Sequence, residues 1–247
     1  MKIIATYNIK GGVGKTSTAV NLAYLAAQNH YKTLVWDLDP QGASSYYFRI
    51  KPKVKGGSKQ LIAGERELDG LIKATDFENL DLLPADFSFR NLDLVLDTRK
   101  KPTQRLKKLL APLTQEYDFI FLDCPPNISL LSEAIFETSE ILLSPIIPTT
   151  LSLRTLEQLK KYLKDNKLKH LQLIPFFSMA DRRKKMHCEI MATLSEQHQD
   201  ILSSTIPYAS DIERMGWERM PLAAYARKSR STDAYQALWQ EILQLIT

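Results

Sequence analysis

The chain has 247 residues and a net charge of +5, with 44% hydrophobic and 25% charged residues. That balance excludes a disordered or fibrous chain, and the length allows a sizeable hydrophobic core. Two cysteines, Cys124 and Cys188, are too few for a disulfide framework and are expected to be reduced thiols of a cytoplasmic protein, while the mild positive charge favours an acidic partner such as nucleic acid.

Lys2 to Tyr7 reads as a buried strand, without the layout of a signal peptide. No apolar run reaches the roughly 18 residues of a membrane span. Ala19, Leu22, Ala23 and Ala26 then recur at helical spacing. Thr33–Asp37 is a second strand, Leu80–Leu83 a weaker one, and Asp118–Asp123 a strong one; Glu140–Ile147, Leu171–Phe177 and Ser204–Ile206 complete the strand set. Helical patterns fill the intervals at Arg105–Leu113, Ser129–Glu137, Leu153–Lys164, Lys184–Gln197 and Ser231–Ile246. Strand–helix alternation predicts an α/β fold, a mostly parallel sheet covered by helices on both faces. The lysine-rich stretch Lys51–Lys59 reads as an exposed loop rather than a linker, so one domain spanning residues 1–247 is expected.

The sharpest motif follows the first strand: Lys10-Gly11-Gly12-Val13-Gly14-Lys15-Thr16, with Ser17 beyond it. A bound phosphate chain needs inward-pointing backbone N–H groups and the N-terminus of a helix, an approach that side chains would obstruct. Gly11, Gly12 and Gly14 clear that approach. Lys15 is placed to reach the β and γ phosphates, and the Thr16 hydroxyl to ligate Mg²⁺. The common P-loop spacing would put glycine at position 9, where this chain has Ile9, and it carries an extra lysine, Lys10.

In these residues the chain resembles the ParA/MinD family of deviant Walker A ATPases. Asp37-Leu38-Asp39-Pro40-Gln41-Gly42 is similar to the family's second phosphate-side motif, and Asp118–Pro126 to its Walker B strand. The resemblance implies ATP and Mg²⁺ as ligands, with residues Gly11, Gly12, Val13, Gly14, Lys15, Thr16 and Ser17 around the phosphates. Asp123 ends a buried strand, where a carboxylate is costly unless compensated; Mg²⁺ is its expected partner. Asp39 is expected to orient the attacking water, with Asp37 as the rival. The resemblance implies that Lys10 reaches across a dimer interface to the partner's nucleotide, where it would stabilise transition-state charge. The adenine is expected against residues after the late strands, at Met179 and Pro207.

Family members differ in the surface they use. The final helix is amphipathic, but after Arg230 it has no lysine or arginine. It therefore reads as closing the core rather than lying on a membrane. Candidate DNA contacts are Arg182, Arg183, Lys184 and Lys185; Arg214 and Arg219; Arg227, Lys228 and Arg230; and the run Arg99, Lys100, Lys101, Arg105, Lys107 and Lys108. Related chromosomal partition proteins carry an arginine where this chain has Asp211. The expected function is that of a cytoplasmic, nucleoid-associated ParA-like ATPase. It would form an ATP-bound homodimer on double-stranded DNA of any sequence and be reset by a small ParB-like or cargo-adaptor protein. The cargo would be a plasmid, a chromosome origin or a protein body such as a carboxysome. The alternative is a MinD-like membrane-surface ATPase. A third reading, an amidotransferase that shares the loop, is expected to need further substrate-binding domains, for which 247 residues leave no room.

Overall fold

The computed structural model describes residues 1–64, 68–198 and 200–246. Eight strands form one sheet: β1 (Lys2–Thr6), β2 (Thr33–Asp37), β3 (Lys73–Ala74), β4 (Leu80–Leu83), β5 (Phe119–Asp123), β6 (Ile141–Ile146), β7 (Gln172–Ala180) and β8 (Thr205–Pro207). Their spatial order is β3-β4-β2-β5-β1-β6-β7-β8. All pairings are parallel except that of the two-residue edge strand β3 with β4. β1 lies between β5 and β6, so the loop that leaves its C-terminal end opens at the centre of the sheet.

Side chains of successive strand residues point to opposite faces. Ile3, Ala5 and Tyr7 accordingly join one apolar cluster with Leu34, Trp36, Leu122 and Ile135, whereas Ile4 joins a second with Val35, Phe121 and Trp239. Burial on both faces explains why the central strands read as continuous apolar runs. On the second face lie α1 (Lys15–Gln28) and the last helix, α11 (Arg230–Ile246). Tyr235, Leu238, Trp239 and Ile242 of α11 are buried there. Trp239 Nε1 donates to Asn29 Oδ1 at 2.9 Å. The Glu241 carboxylate accepts the N–H groups of Ser203 and Ser204, at 2.7 and 2.9 Å, at the entry to β8. The final helix therefore closes the core.

The remaining helices are α2 (Ala43–Tyr47), α3 (Gly57–Ala63), α4 (Leu92–Asp97), α5 (Arg105–Leu110), α6 (Leu130–Thr138), α7 (Thr150–Asp165), α8 (Lys185–Gln197), α9 (Ser210–Glu218) and α10 (Leu222–Tyr225). Three readings of the sequence change. The Lys51–Lys59 stretch is not wholly an exposed loop, because Val54 and Ser58 are buried and Gly57 opens α3. The helix expected to run to Leu113 stops at Leu110 and tightens into a 3-10 turn over Ala111–Gln115. Pro112 is the cause, since it lacks an N–H and its ring opposes the carbonyl four residues earlier. Finally, β7 extends beyond Phe177 through a bulge to Ala180, so Met179 lies within the strand.

Candidate functional site at the C-terminal ends of the central strands

The loop between β1 and α1 is shaped by its own side chains. Asn8 Nδ2 donates to the carbonyl of Pro145 (2.9 Å), and Asn8 Oδ1 accepts the N–H of Lys10 (2.9 Å), which pins the loop to the end of β6. Gly12 (φ +70°) and Gly14 (φ +95°) occupy the left-handed region. At Gly14 space is short as well, because a Cβ there would approach Ser178 Oγ to 2.9 Å. Lys15, the first residue of α1, is buried and donates from Nζ to the carbonyl of Lys10 at 3.1 Å. Burial pulls the pKa of its ammonium down, against the opposing attraction of Asp123. An anion delivered to this point would meet that cation together with the free N–H groups at the start of a fourteen-residue helix.

Beneath the loop, two carboxylates end adjacent strands in register: Asp37 on β2 opposite Asp123 on β5. Both are fully buried, and burial pushes both carboxyls above their usual range. Thr16 Oγ1 donates to Asp123 Oδ1 at 3.2 Å. Asp37 Oδ2 accepts both the N–H (2.8 Å) and the hydroxyl (2.7 Å) of Ser45. Asp39 differs from both. It is half-exposed, and one carboxylate oxygen accepts the N–H of Gln41 at 2.9 Å.

A cavity of about 360 Å³ opens over the loop. Gly11, Gly12, Gly14, Lys15, Thr16, Ser17 and Asp39 line it on the loop side, and Met179 and Pro207 on the other. Asp37 is sealed below and does not reach the cavity wall, so the two aspartates of the second motif are separated by access. Val13 is also buried and contributes no side chain to the wall. Asp123 lies behind Thr16, and Lys10 is half-buried at the rim, its side chain outside the lining. Met179 sits in the β7 bulge with φ +53°, a conformation that turns a strand residue toward the opening.

Sequence reasoning missed Tyr47 of α2, Pro126, and Ile212 and Glu213 of α9, all on the cavity wall. It also missed Tyr235 of α11, a buried residue whose hydroxyl lies beside Ser17, Thr18 and Asn21 of α1. These residues come from elements far apart in the chain, and a local motif carries no signal for them.

The basic clusters divide by what they touch. Arg105 donates to the carbonyls of Ile62 and Ala63 at the C-terminal end of α3, so it caps a helix rather than extending a basic surface. We expect Arg105→Ala to destabilise the fold by about 2 kcal/mol, the scale of hydrogen bonds to a charged group, read as a lower denaturant midpoint at unchanged slope. Arg183 pairs with Asp181 (2.8 Å), Lys185 with Glu189 (3.4 Å) and Arg214 with Glu218 (2.6 Å); Arg219 stacks on Tyr46 at 4.4 Å. Arg182, Lys184, Arg227, Lys228 and Arg230 are exposed and form no ion pair among the described residues. Asp211 accepts the Ser231 hydroxyl at 2.7 Å, which ties the start of α9 to that of α11 and gives this carboxylate a structural occupation.

Residues 1–173 match the AAA domain family. The chain is 31% identical over 250 residues to the sporulation initiation inhibitor protein Soj of Bacillus subtilis, covering 98% of each. It is 29% identical over 252 residues to the chromosome partitioning protein ParA of Myxococcus xanthus, covering 98% of this chain and 88% of that one. The chain belongs to the ParA/MinD family of P-loop ATPases. The fold agrees with a solved structure of cobyrinic acid a,c-diamide synthase from Mycobacterium smegmatis with a bound ATP analogue and magnesium, at a TM-score of 0.82 and 23% identity, covering 99% of this chain and 95% of that one. Within the family this chain is a ParA/Soj-like partitioning ATPase. Among its described residues no helix is long and apolar enough to cross a membrane.

Proposed function

We propose that the chain, as a single domain, binds ATP in the cavity over the loop, pairs with a second copy in that state, and then binds double-stranded DNA without sequence preference. Hydrolysis, stimulated by a ParB-like or adaptor protein, releases it, and the cycle moves a cargo such as a plasmid, a chromosome origin or a protein body. Lys15 and the N–H groups of residues 11–17 hold the phosphates. Met179 and Pro207 flank the base. Asp39, the accessible carboxylate of its motif, orients water. Lys10, at the rim and unused by its own cavity wall, serves the partner's nucleotide.

The donor set fits Mg²⁺. Thr16 and Asp123 offer hard oxygen ligands, and the described residues contain no cluster of three His, Cys, Asp or Glu side chains that would form an all-protein cage. A cation of this kind takes its remaining ligands from phosphate and water. When bound, it neutralises the phosphate oxygens on which charge develops.

The observation that supports a DNA-bound, nucleotide-controlled state most strongly is the composition of one helix and the loop before it. The unpaired cations Arg227, Lys228 and Arg230 stand at the head of α11, and Tyr235, little more than a turn further on, reaches the cavity wall. The apolar face of α11, formed by Tyr235, Leu238, Trp239 and Ile242, is turned into the core rather than offered to a bilayer.

Gel shifts test this reading. We expect ATP-loaded protein to shift duplexes of unrelated sequence alike and ADP-loaded protein to shift them weakly. The slope of log affinity against log salt should be about −0.9 per phosphate neutralised. Replacing Arg227, Lys228 and Arg230 together by Glu should weaken every duplex equally and leave ATP affinity intact. Strong ATP-dependent sedimentation with anionic vesicles and no DNA shift would instead establish a MinD-like membrane-surface role.

A further inference from the structure

The five-residue helix α2 begins directly after the Asp39 loop, and its consecutive serines divide the two buried carboxylates between them. Ser44 Oγ donates to Asp123 Oδ2 at 2.7 Å, while Ser45 serves Asp37 through its N–H and its hydroxyl. Ser45 Oγ also accepts the N–H of Ala85 at 3.0 Å, so its bonds join α2, the end of β2 and the segment after β4. Ser44 makes no such second bond through its hydroxyl among the described residues. It is fully buried, and its hydroxyl is committed to one oxygen of Asp123, leaving the other, Oδ1, turned to Thr16.

We propose that Ser44 is a positioning residue for the Mg²⁺-side carboxylate: it fixes the plane of Asp123 so that Oδ1 faces Thr16 and the metal position. This rests on the assignment of Thr16 and Asp123 above. The physical argument is asymmetry. Thr16 Oγ1 is itself offered to the metal, so its 3.2 Å bond to Asp123 is exchangeable. Ser44 lies on the far side, at a shorter distance, and keeps its bond whether or not a cation arrives. Loss of an outer hydrogen bond to a metal ligand commonly costs 10- to 100-fold in metal affinity. Because Asp39 and Ser44 flank one short loop, the same bond also anchors the loop that carries Asp39.

Titration of the full-length protein with a fluorescent ATP analogue, at graded Mg²⁺ and in EDTA, tests the proposal. Ser44→Ala should raise the Mg²⁺ concentration for half-maximal binding by roughly 10- to 100-fold and leave the EDTA affinity unchanged. Ser45→Ala should lower the thermal midpoint, since it breaks the two hydroxyl bonds of the strut, to Asp37 and from Ala85, but keep the Mg²⁺ half-point within about twofold. An unchanged Mg²⁺ half-point in folded Ser44→Ala would overturn the proposal. So would an equal displacement in Ser45→Ala, which would mean that loosening α2, rather than releasing Asp123, is responsible. If the unmodified protein binds the analogue tightly but without dependence on Mg²⁺, the assignment of Thr16 and Asp123 fails first.

Discussion

Lys15→Ala should lose nucleotide affinity by more than about 100-fold, or roughly 3 kcal/mol. Lys15 is buried, and its ammonium is held against the loop by a single neutral carbonyl, that of Lys10. Burial disfavours its charge. A phosphate chain therefore gains twice, by supplying a counter-charge in a site of restricted solvation and by taking over a hydrogen bond that the neutral carbonyl makes only weakly. Alanine removes the charge without disturbing the positive-φ glycines that shape the loop. Equilibrium titration with a fluorescent ATP analogue measures the loss. Affinity within a fewfold of the unmodified protein would remove the loop from the binding site.

Asp39→Ala should reduce turnover by about 100-fold or more, in the range expected for a positioned general base, while ATP binds with near-normal affinity. The expectation depends on access. Asp39 is on the cavity wall, whereas Asp37 is sealed beneath it and saturated on one oxygen by Ser45. Steady-state phosphate release under saturating ATP is the measurement. Near-normal turnover would move the role off Asp39, and the buried geometry of Asp37 would direct it to water alone.

How much of this was legible in the sequence follows from where the information resides. The strands were readable because β1, β2, β5 and β6 are buried on both faces, which demands unbroken apolar runs. The loop was readable because backbone approach to phosphate and positive φ both require glycine, and both demands are local. α2 was not readable. Its Ala-Ser-Ser-Tyr-Tyr sequence has little helical propensity, and it is held by serine hydroxyls bonded to the carboxylates that end β2 and β5, the second of them far away in the chain. α9 was equally opaque, with Gly216 in its interior and no side-chain cap. Two of the aromatic residues of the cavity, Tyr47 and Tyr235, belong to helices separated by most of the chain. One charge run misled for a similar reason: Arg105 read as a surface cation, but carbonyls of α3 brought to it by tertiary structure occupy it, whereas Arg183 stays exposed and pairs with its sequence neighbour Asp181.

The central claim is that ATP controls pairing of two copies, and sedimentation velocity of the Asp39→Ala protein tests it most directly. With hydrolysis blocked, ATP and Mg²⁺ should convert the 28.2 kDa monomer to a species of twice that mass, while ADP should leave it monomeric. Adding Lys10→Ala to the same protein should abolish the conversion and preserve ATP binding, because Lys10 is absent from its own cavity wall. A protein that remains monomeric under saturating ATP, or that dimerises equally with ADP, would contradict the account.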